Sequence, residues 1–272
     1  MTALPQPLLL VGGGKMGTAL LVGWLARGLE PAAAHVVEPD AARRSELLGL
    51  APIQLHAEPP ADLAPAAIVF AVKPQVLDAV LPAYRNLAAA AGLLLSIVAG
   101  KPIAVFERVF GAGRAIVRAM PNTPAAVGRG VTVLCANGAV DAAGRDQARA
   151  LMEAVGSVYW IEDEDLMHAV TAVSGSGPAY VFLLVEAMAR AGIRLGLPGE
   201  LASRLARETV SGSGELLARS PEEPASLRQA VTSPGGTTEA ALRVLMAENG
   251  LPALLEAAIA AAERRSRELG GS

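Results

Sequence analysis

The sequence predicts an α/β protein in two parts: a mostly parallel sheet covered by helices, then an all-helical second part. Three observations predict it. Short apolar runs alternate with helically spaced segments up to Ile161, the first of these runs ends in glycines that open a helix, and beyond Ile161 every segment reads as helix. Alternating strands and helices imply right-handed crossovers, which build a parallel sheet with both faces covered. The glycine turn at the end of the first strand makes the sheet Rossmann-type, the dinucleotide-binding form of this class.

Taken in order, Leu8–Gly12 is a short apolar run ending in glycine, and Met16–Arg27 recurs apolar at helical spacing. A second strand fits Ala34–Glu38, followed by a helix starting near Asp40. Further strands fit Ile53–Leu55, Ala66–Val72, Leu93–Val98 and Ala115–Arg118, with helical stretches between several of them. Val131–Cys135 and Ser157–Ile161 flank a helix from about Asp141 to Val155 and complete the sheet. Then Asp165–Val173, Pro178–Leu195, Pro198–Ala218, Ser226–Val231, Thr237–Glu248 and Leu251–Leu269 read as helices separated by Gly, Pro or Ser. This change of character divides the chain into residues 1–162 and 163–272. The later helices have wide apolar faces, more than one small bundle hides, so association between subunits is expected.

Composition bounds the chemistry. The chain has 272 residues, 52% of them hydrophobic, which is ample for a buried core. A formal charge of −3 and a pI near 5.7 leave no basic footprint for nucleic acid. Cys135 is the one cysteine, and His35, His56 and His168 have no ligand spacing, so neither a disulfide framework nor a metal site is expected. Met1–Val11 lacks the basic region and cleavage site of a secretory signal, and no segment offers about 20 apolar residues free of charge or helix breakers. A cytoplasmic protein without a transmembrane helix is the expectation.

Gly12, Gly14 and Gly17 fit G-x-G-x-x-G in the context the motif requires. The first glycine permits the tight turn, the second lets backbone approach a pyrophosphate, and the third lets helix and strand pack closely. Lys15 and Met16 then stand at the start of a helix whose unpaired N–H groups favour phosphate. Glu38 ends the second strand about 20 residues on, placed to accept hydrogen bonds from ribose hydroxyls and to repel a 2′-phosphate, which leans the reading towards NADH. Arg43 and Arg44 could instead attract a 2′-phosphate or simply lie on a solvated helix face, so use of NADPH stays open. Val72-Lys73-Pro74 sits at the carboxyl end of a buried strand, where open sheets place their ligands. Both a ligand-facing ammonium and a surface lysine before a helix-starting proline fit Lys73.

Three further segments are hard to explain by folding needs: Arg118-Ala119-Met120-Pro121-Asn122-Thr123-Pro124, Val173-Ser174-Gly175-Ser176-Gly177-Pro178-Ala179-Tyr180-Val181-Phe182, and Val231-Thr232-Ser233-Pro234-Gly235-Gly236-Thr237-Thr238. Each ends an apolar element with small and hydroxyl residues. With the Gly-Gly-Gly-Lys-Met-Gly start and Val-Lys-Pro, they closely resemble the pyrroline-5-carboxylate reductases, in order and over essentially the whole chain. The resemblance implies NAD(P)H-dependent reduction of 1-pyrroline-5-carboxylate to L-proline, the last step of proline biosynthesis. It also implies a helical C-terminal dimerisation domain, with dimers commonly assembling into decamers and the active site at the dimer interface.

The residues make chemical sense of this. Gly235 and Gly236 followed by Thr237 and Thr238 offer clustered N–H donors to a small carboxylate; an ordinary turn capped by Ser233 explains Ser-Pro but not the glycines and threonines. The resemblance places Thr238 beside the substrate ring nitrogen, as the catalytic hydroxyl, and makes Ser174, Gly175 and Ser176 a wall of the substrate pocket; a flexible helix cap is the plain alternative for that wall. Asn122 is placed to contact the nicotinamide ribose or amide, and an Asx turn before Pro124 accounts for it equally. A protonated cyclic imine is already an electrophile, so positioning matters more than acid catalysis and no metal is required. The competing readings are another imine or 3-hydroxyacid oxidoreductase and a non-catalytic dinucleotide-binding protein. The former would need an acid–base lysine or histidine in the helical half, where no lysine follows Lys101 and His168 is the lone histidine; the latter has no use for Ser233–Thr238.

Overall fold

Short buried runs make the sheet. In the computed structural model, which describes residues 2–270, the strands are Leu8–Val11 (β1), Ala34–Val37 (β2), Gln54–His56 (β3), Ala67–Phe70 (β4), Leu93–Ser96 (β5), Ile116–Met120 (β6), Gly130–Ala136 (β7) and Gly156–Trp160 (β8). They form one sheet in the order β3-β2-β1-β4-β5-β6-β7-β8. β1, β4 and β5 are buried at every position because helices cover both faces, so they appear in sequence as unbroken apolar runs. β7 runs antiparallel to β6, and the other pairings are parallel. The order reverses between β1 and β4, the switch point at which open α/β sheets leave a crevice.

The helices over the sheet are Lys15–Ala26 (α1), Ala41–Leu48 (α2), Leu77–Val80 (α3), Arg85–Ala90 (α4), Ile103–Phe110 (α5) and Ala142–Glu153 (α6). Strand periodicity divides the core in two. Leu8 and Leu10 of β1 face Leu20, Leu21 and Trp24 of α1 with Leu151 and Met152 of α6. Leu9 and Val11 face the other way, towards Leu77, Leu81, Leu87 and Phe106. Trp24 sits in the first layer without an orphaned donor, because its Nε1–H reaches the Leu151 carbonyl at 2.8 Å.

Beyond the sheet come Met167–Val170 (α7), a π-helical turn at Thr171–Gly175, and Gly177–Arg194 (α8), Gly199–Arg219 (α9), Pro224–Ala230 (α10), Thr237–Leu245 (α11) and Leu251–Gly270 (α12). The described chain forms two compact units: one runs to Gly175 and takes the chain back from Glu263, and the other is Ser176–Ala262. The sequence boundary at 162/163 marks the end of the strands, whereas the units part later. The reason is packing: Gly175 lies so close to Met120 of β6 that a Cβ there would stand 2.5 Å from the methionine methyl. Buried His168 is also tied through Nδ1 to Ser266 Oγ at 2.9 Å.

The second unit buries little by itself. Ala202 and Ala206 are its buried residues, and Phe182, Leu183, Leu216 and Leu254 are all exposed. One helical stretch among the described residues, Glu164–Arg194, is long and apolar enough to cross a membrane by length and composition. It contains charged residues at its start and is interrupted at Ser176, consistent with the breakers read in the sequence.

Candidate active site

At the β1/β4 switch the glycine turn has the geometry its residues require. Gly12 takes φ +103°, and a Cβ there would stand 2.8 Å from the Ala71 carbonyl oxygen at the end of β4, so no other residue fits. A Cβ on Gly17 would fall 2.3 Å from the Gly12 carbonyl, which lets α1 seat directly on the turn. Gly14 is the N-cap of α1 and faces open space. Neither a side-chain cap nor an acidic residue occupies the first turn, so the N–H groups of Lys15, Met16 and Gly17 face outward with the positive end of the helix dipole.

A cavity of about 530 Å³ opens beside the turn, lined by Gly12, Gly14, Glu38, Val72, Lys73 and Tyr84 among others. Five of the residues singled out in the sequence thus meet on one wall. Lys15, Met16 and Gly17 stand at the adjoining helix start, and Pro74 opens the 3-10 turn after Lys73. This site fits a dinucleotide: a backbone cradle too tight for any Cβ at Gly12, free N–H donors at a helix start, and a carboxylate at the tip of β2.

Glu38 is held where it can serve. One carboxylate oxygen accepts the Gly13 N–H at 2.9 Å and the other accepts the Asp40 N–H at 3.0 Å. Glu58 lines the same cavity and was not read from the sequence. Strand order would have found it, since Val37 pairs with His56 in parallel and the two strands end side by side. Arg44 does not reach for a ligand; its guanidinium donates to the carbonyls of Glu38 at 2.8 Å and Pro39 at 2.7 Å.

The first two of the three hydroxyl-rich segments meet within the first unit, at Asn122 and Ser174. Asn122 is buried, with its Oδ1 accepting the Val131 N–H at 2.9 Å and its Nδ2 donating to the Ser174 carbonyl at 3.1 Å. Its amide therefore ties the end of β6 to the π turn. Ser174 Oγ donates to the Val170 carbonyl at 3.0 Å and Thr171 Oγ1 to that of Met167 at 2.7 Å, back-bonding that widens the turn. The base of this corner is braced by Glu164, which accepts from buried Arg118 at 2.8 Å and from the Ile103 N–H at 2.9 Å.

In the second unit, the Ser233–Gly236 segment makes a turn in which the Gly236 N–H reaches the Ser233 carbonyl at 3.0 Å. Gly235 takes φ +72° and donates to Glu239 Oε2 at 2.7 Å. Helix α11 starts at Thr237 with Gly236 as its N-cap and no side-chain cap, so Ser233 is not the capping residue and Pro234 is not the first helical one. Thr237 and Thr238 open the helix, Thr237 exposed and Thr238 half-buried, with their N–H groups in its first turn.

Comparison with known proteins gives this geometry a family. Residues 164–269 match the family model for pyrroline-5-carboxylate reductase dimerisation, and residues 8–100 match that for coenzyme F420-dependent NADP oxidoreductases. The pyrroline-5-carboxylate reductase of Pseudomonas aeruginosa is 44% identical over 262 residues, 95% of each chain. A solved pyrroline-5-carboxylate reductase from Coxiella burnetii superposes with a TM-score of 0.90 at 34% identity, covering 97% of this chain and 98% of that one. The Plasmodium falciparum pyrroline carboxylate reductase, solved with NADP bound, gives 0.83 at 30% identity, covering 99% and 100%. On this identity along nearly its whole length, the chain belongs to the pyrroline-5-carboxylate reductase family, NAD(P)H-dependent enzymes that reduce 1-pyrroline-5-carboxylate to L-proline.

Proposed function

We propose that this chain carries out that reduction chiefly by placement, with the first unit holding the coenzyme and the helical region from 163 to 272 supplying substrate contacts and the subunit interface. The observation that carries the reading is the uncapped start of α1 at the β1/β4 switch, beside a cavity walled by Glu38 and Lys73. Gly12, Gly14, Lys15, Met16 and Gly17 receive the pyrophosphate, with Val72 and Lys73 lining the same cavity and Pro74 opening the turn that follows them. When bound, NAD(P)H supplies the hydride that adds to the imine carbon.

Glu38 leans the site towards NADH. Two of its acceptor positions hold backbone N–H groups, and a carboxylate has roughly four, which leaves capacity for ribose hydroxyls. Its fixed charge opposes a 2′-phosphate. Asn122 contributes by holding the Ser174 segment against the end of β6, and Ser174, Gly175 and Ser176 form a wall of the substrate pocket. Thr237 and Thr238 present N–H donors to the substrate carboxylate, whereas Gly236, read from sequence as a further contact, closes the turn with its own N–H on the Ser233 carbonyl and caps the helix; the Thr238 hydroxyl hydrogen-bonds the ring nitrogen as it becomes an amine.

The apolar side chains that α8, α9 and α12 leave exposed support pairing with a second copy. Assembly of such dimers into a decamer, in the cytoplasm, is part of the same proposal and rests on the family resemblance alone. Sedimentation over a dilution series reads that assembly; a monomer active at every concentration refutes it.

Oxidation of NADH or NADPH on addition of pyrroline-5-carboxylate, with proline identified as product, tests the reaction. Thr238→Ala tests the assigned role: turnover should fall roughly 10- to 100-fold, as expected for one hydrogen bond of about 1.4–2.7 kcal/mol made in the transition state, and Thr238→Ser should recover most of it. A raised Michaelis constant with unchanged turnover would reduce the hydroxyl to ground-state binding.

A further inference from the structure

Three consecutive glycines, Gly12-Gly13-Gly14, form the turn that must fit the coenzyme pyrophosphate, and they bring a cost. Glycine is the least restrained residue, with no side chain to pack, so an unsupported triple-glycine turn loses the most freedom when it is fixed around a ligand. Here it is supported before any ligand arrives. Gly13 is buried and gripped at both backbone groups: its N–H donates to Glu38 Oε2 at 2.9 Å, and its carbonyl accepts from Arg43 Nε at 2.7 Å and from Thr18 Oγ1 at 3.1 Å. Arg43 also donates through one terminal nitrogen to Thr18 Oγ1 at 2.9 Å, and its other terminal nitrogen pairs with Glu46. The turn lies so flat on α2 that a Cβ on Gly13 would stand 2.6 Å from Leu47 Cδ1.

We propose that Arg43 is a positioning residue for coenzyme binding: it locks Gly13 in the shape that receives the pyrophosphate, and it is not a receptor for a 2′-phosphate. Its three nitrogens are each engaged, on Gly13, Thr18 and Glu46, and swinging the guanidinium to a phosphate would release the turn. Thr18 completes the lock, because its hydroxyl accepts from Arg43 while donating to the same Gly13 carbonyl. The mixed role read for Arg43 from sequence thus resolves into one that serves NADH and NADPH alike. The inference rests on the coenzyme site assigned above.

The two coenzymes separate the alternatives. For Arg43→Ala, the dissociation constants of NADH and NADPH should both rise about tenfold, with their ratio unchanged within about twofold, because the unlocked turn must then be ordered as either coenzyme binds. The KM for pyrroline-5-carboxylate at saturating coenzyme should stay put. Arg43→Lys, which keeps charge but not the fork, should recover only part of the loss, and Thr18→Val should weaken both coenzymes in the same sense. Selective loss of NADPH makes Arg43 a 2′-phosphate receptor and overturns the proposal, as does unchanged affinity for both. Thermal melting accompanies each variant, and if Arg43→Ala does not fold, Thr18→Val decides on the same criteria. Wild-type protein that binds neither coenzyme refutes the site itself rather than the lock.

Discussion

Glu38 joins two tasks in one carboxylate, since it faces the cavity while fixing the N–H groups of Gly13 and Asp40. Glu38→Ser removes the charge that opposes a 2′-phosphate and the acceptor for ribose hydroxyls. The ratio of kcat/KM for NADPH over that for NADH should therefore rise by roughly tenfold, and both values should fall from loss of the Gly13 contact. An unchanged ratio would remove Glu38 from coenzyme selection. The places of Gly12, Gly14, Gly17 and Glu38 were legible in the sequence because turn, helix start and strand end follow from fixed spacing. The contact between Gly13 and Arg43 was not, since a hydrogen bond between residues 30 apart leaves no periodic trace. Asn122 was read as a ligand contact or an Asx turn, and both arms of its amide go to backbone, on Val131 and Ser174. Sequence identifies such a polar residue without naming its partners.

Among the elements, α1 is the one whose placement the glycines control. Gly17→Ala would put a methyl 2.3 Å from the Gly12 carbonyl, a backbone atom that cannot yield without moving the turn. It should destabilise the protein by about 1–3 kcal/mol, as overpacking does, and lower coenzyme affinity with it. Gly14→Ala meets nothing within 4 Å, so its unfolding midpoint should stay near wild type; on the proposed coenzyme site its affinity for coenzyme should fall, because the added methyl would stand where the pyrophosphate approaches. Equal denaturant midpoints for the two variants would disprove this division of labour. The strands were legible because a parallel strand buried on both faces is a short apolar run. The stretch from Pro74 to Ala90 was read only as helical, without finer division, because it breaks into short 3-10 and α pieces around Pro74 and Pro82. Nor was the π turn, which depends on the fit of Gly175 against Met120.

For the molecule as a whole, all three histidines are held below the ordinary imidazole value. Burial is the first cause for each; His56 adds to it at His35, and Arg118 and Arg267 add to it at His168. The His35 and His56 rings stack with their nitrogens 3.1 Å apart, a hydrogen bond that requires at least one neutral ring. The unfolded chain takes up protons near pH 6.5 that the native state refuses, so this stabilisation is complete above that pH and is lost as pH falls through the lower native values. The thermal midpoint should therefore drop between about pH 7.5 and 5.5, and a His35→Gln, His168→Gln double variant should flatten the decline; a level wild-type profile would contradict it. The helical second part was legible at this scale, but the return of the chain to the first unit from Glu263 was not, because nothing in a uniform helix marks where its packing partner changes. That return has a consequence for biosynthesis. Ser266, the partner of buried His168, follows it by 98 residues, so the coenzyme-binding unit receives this piece only after all of α8 to α11 has been made. The sheet is complete by Trp160, yet the unit built on it closes only when α12 arrives, and until then His168 waits for a residue not yet translated.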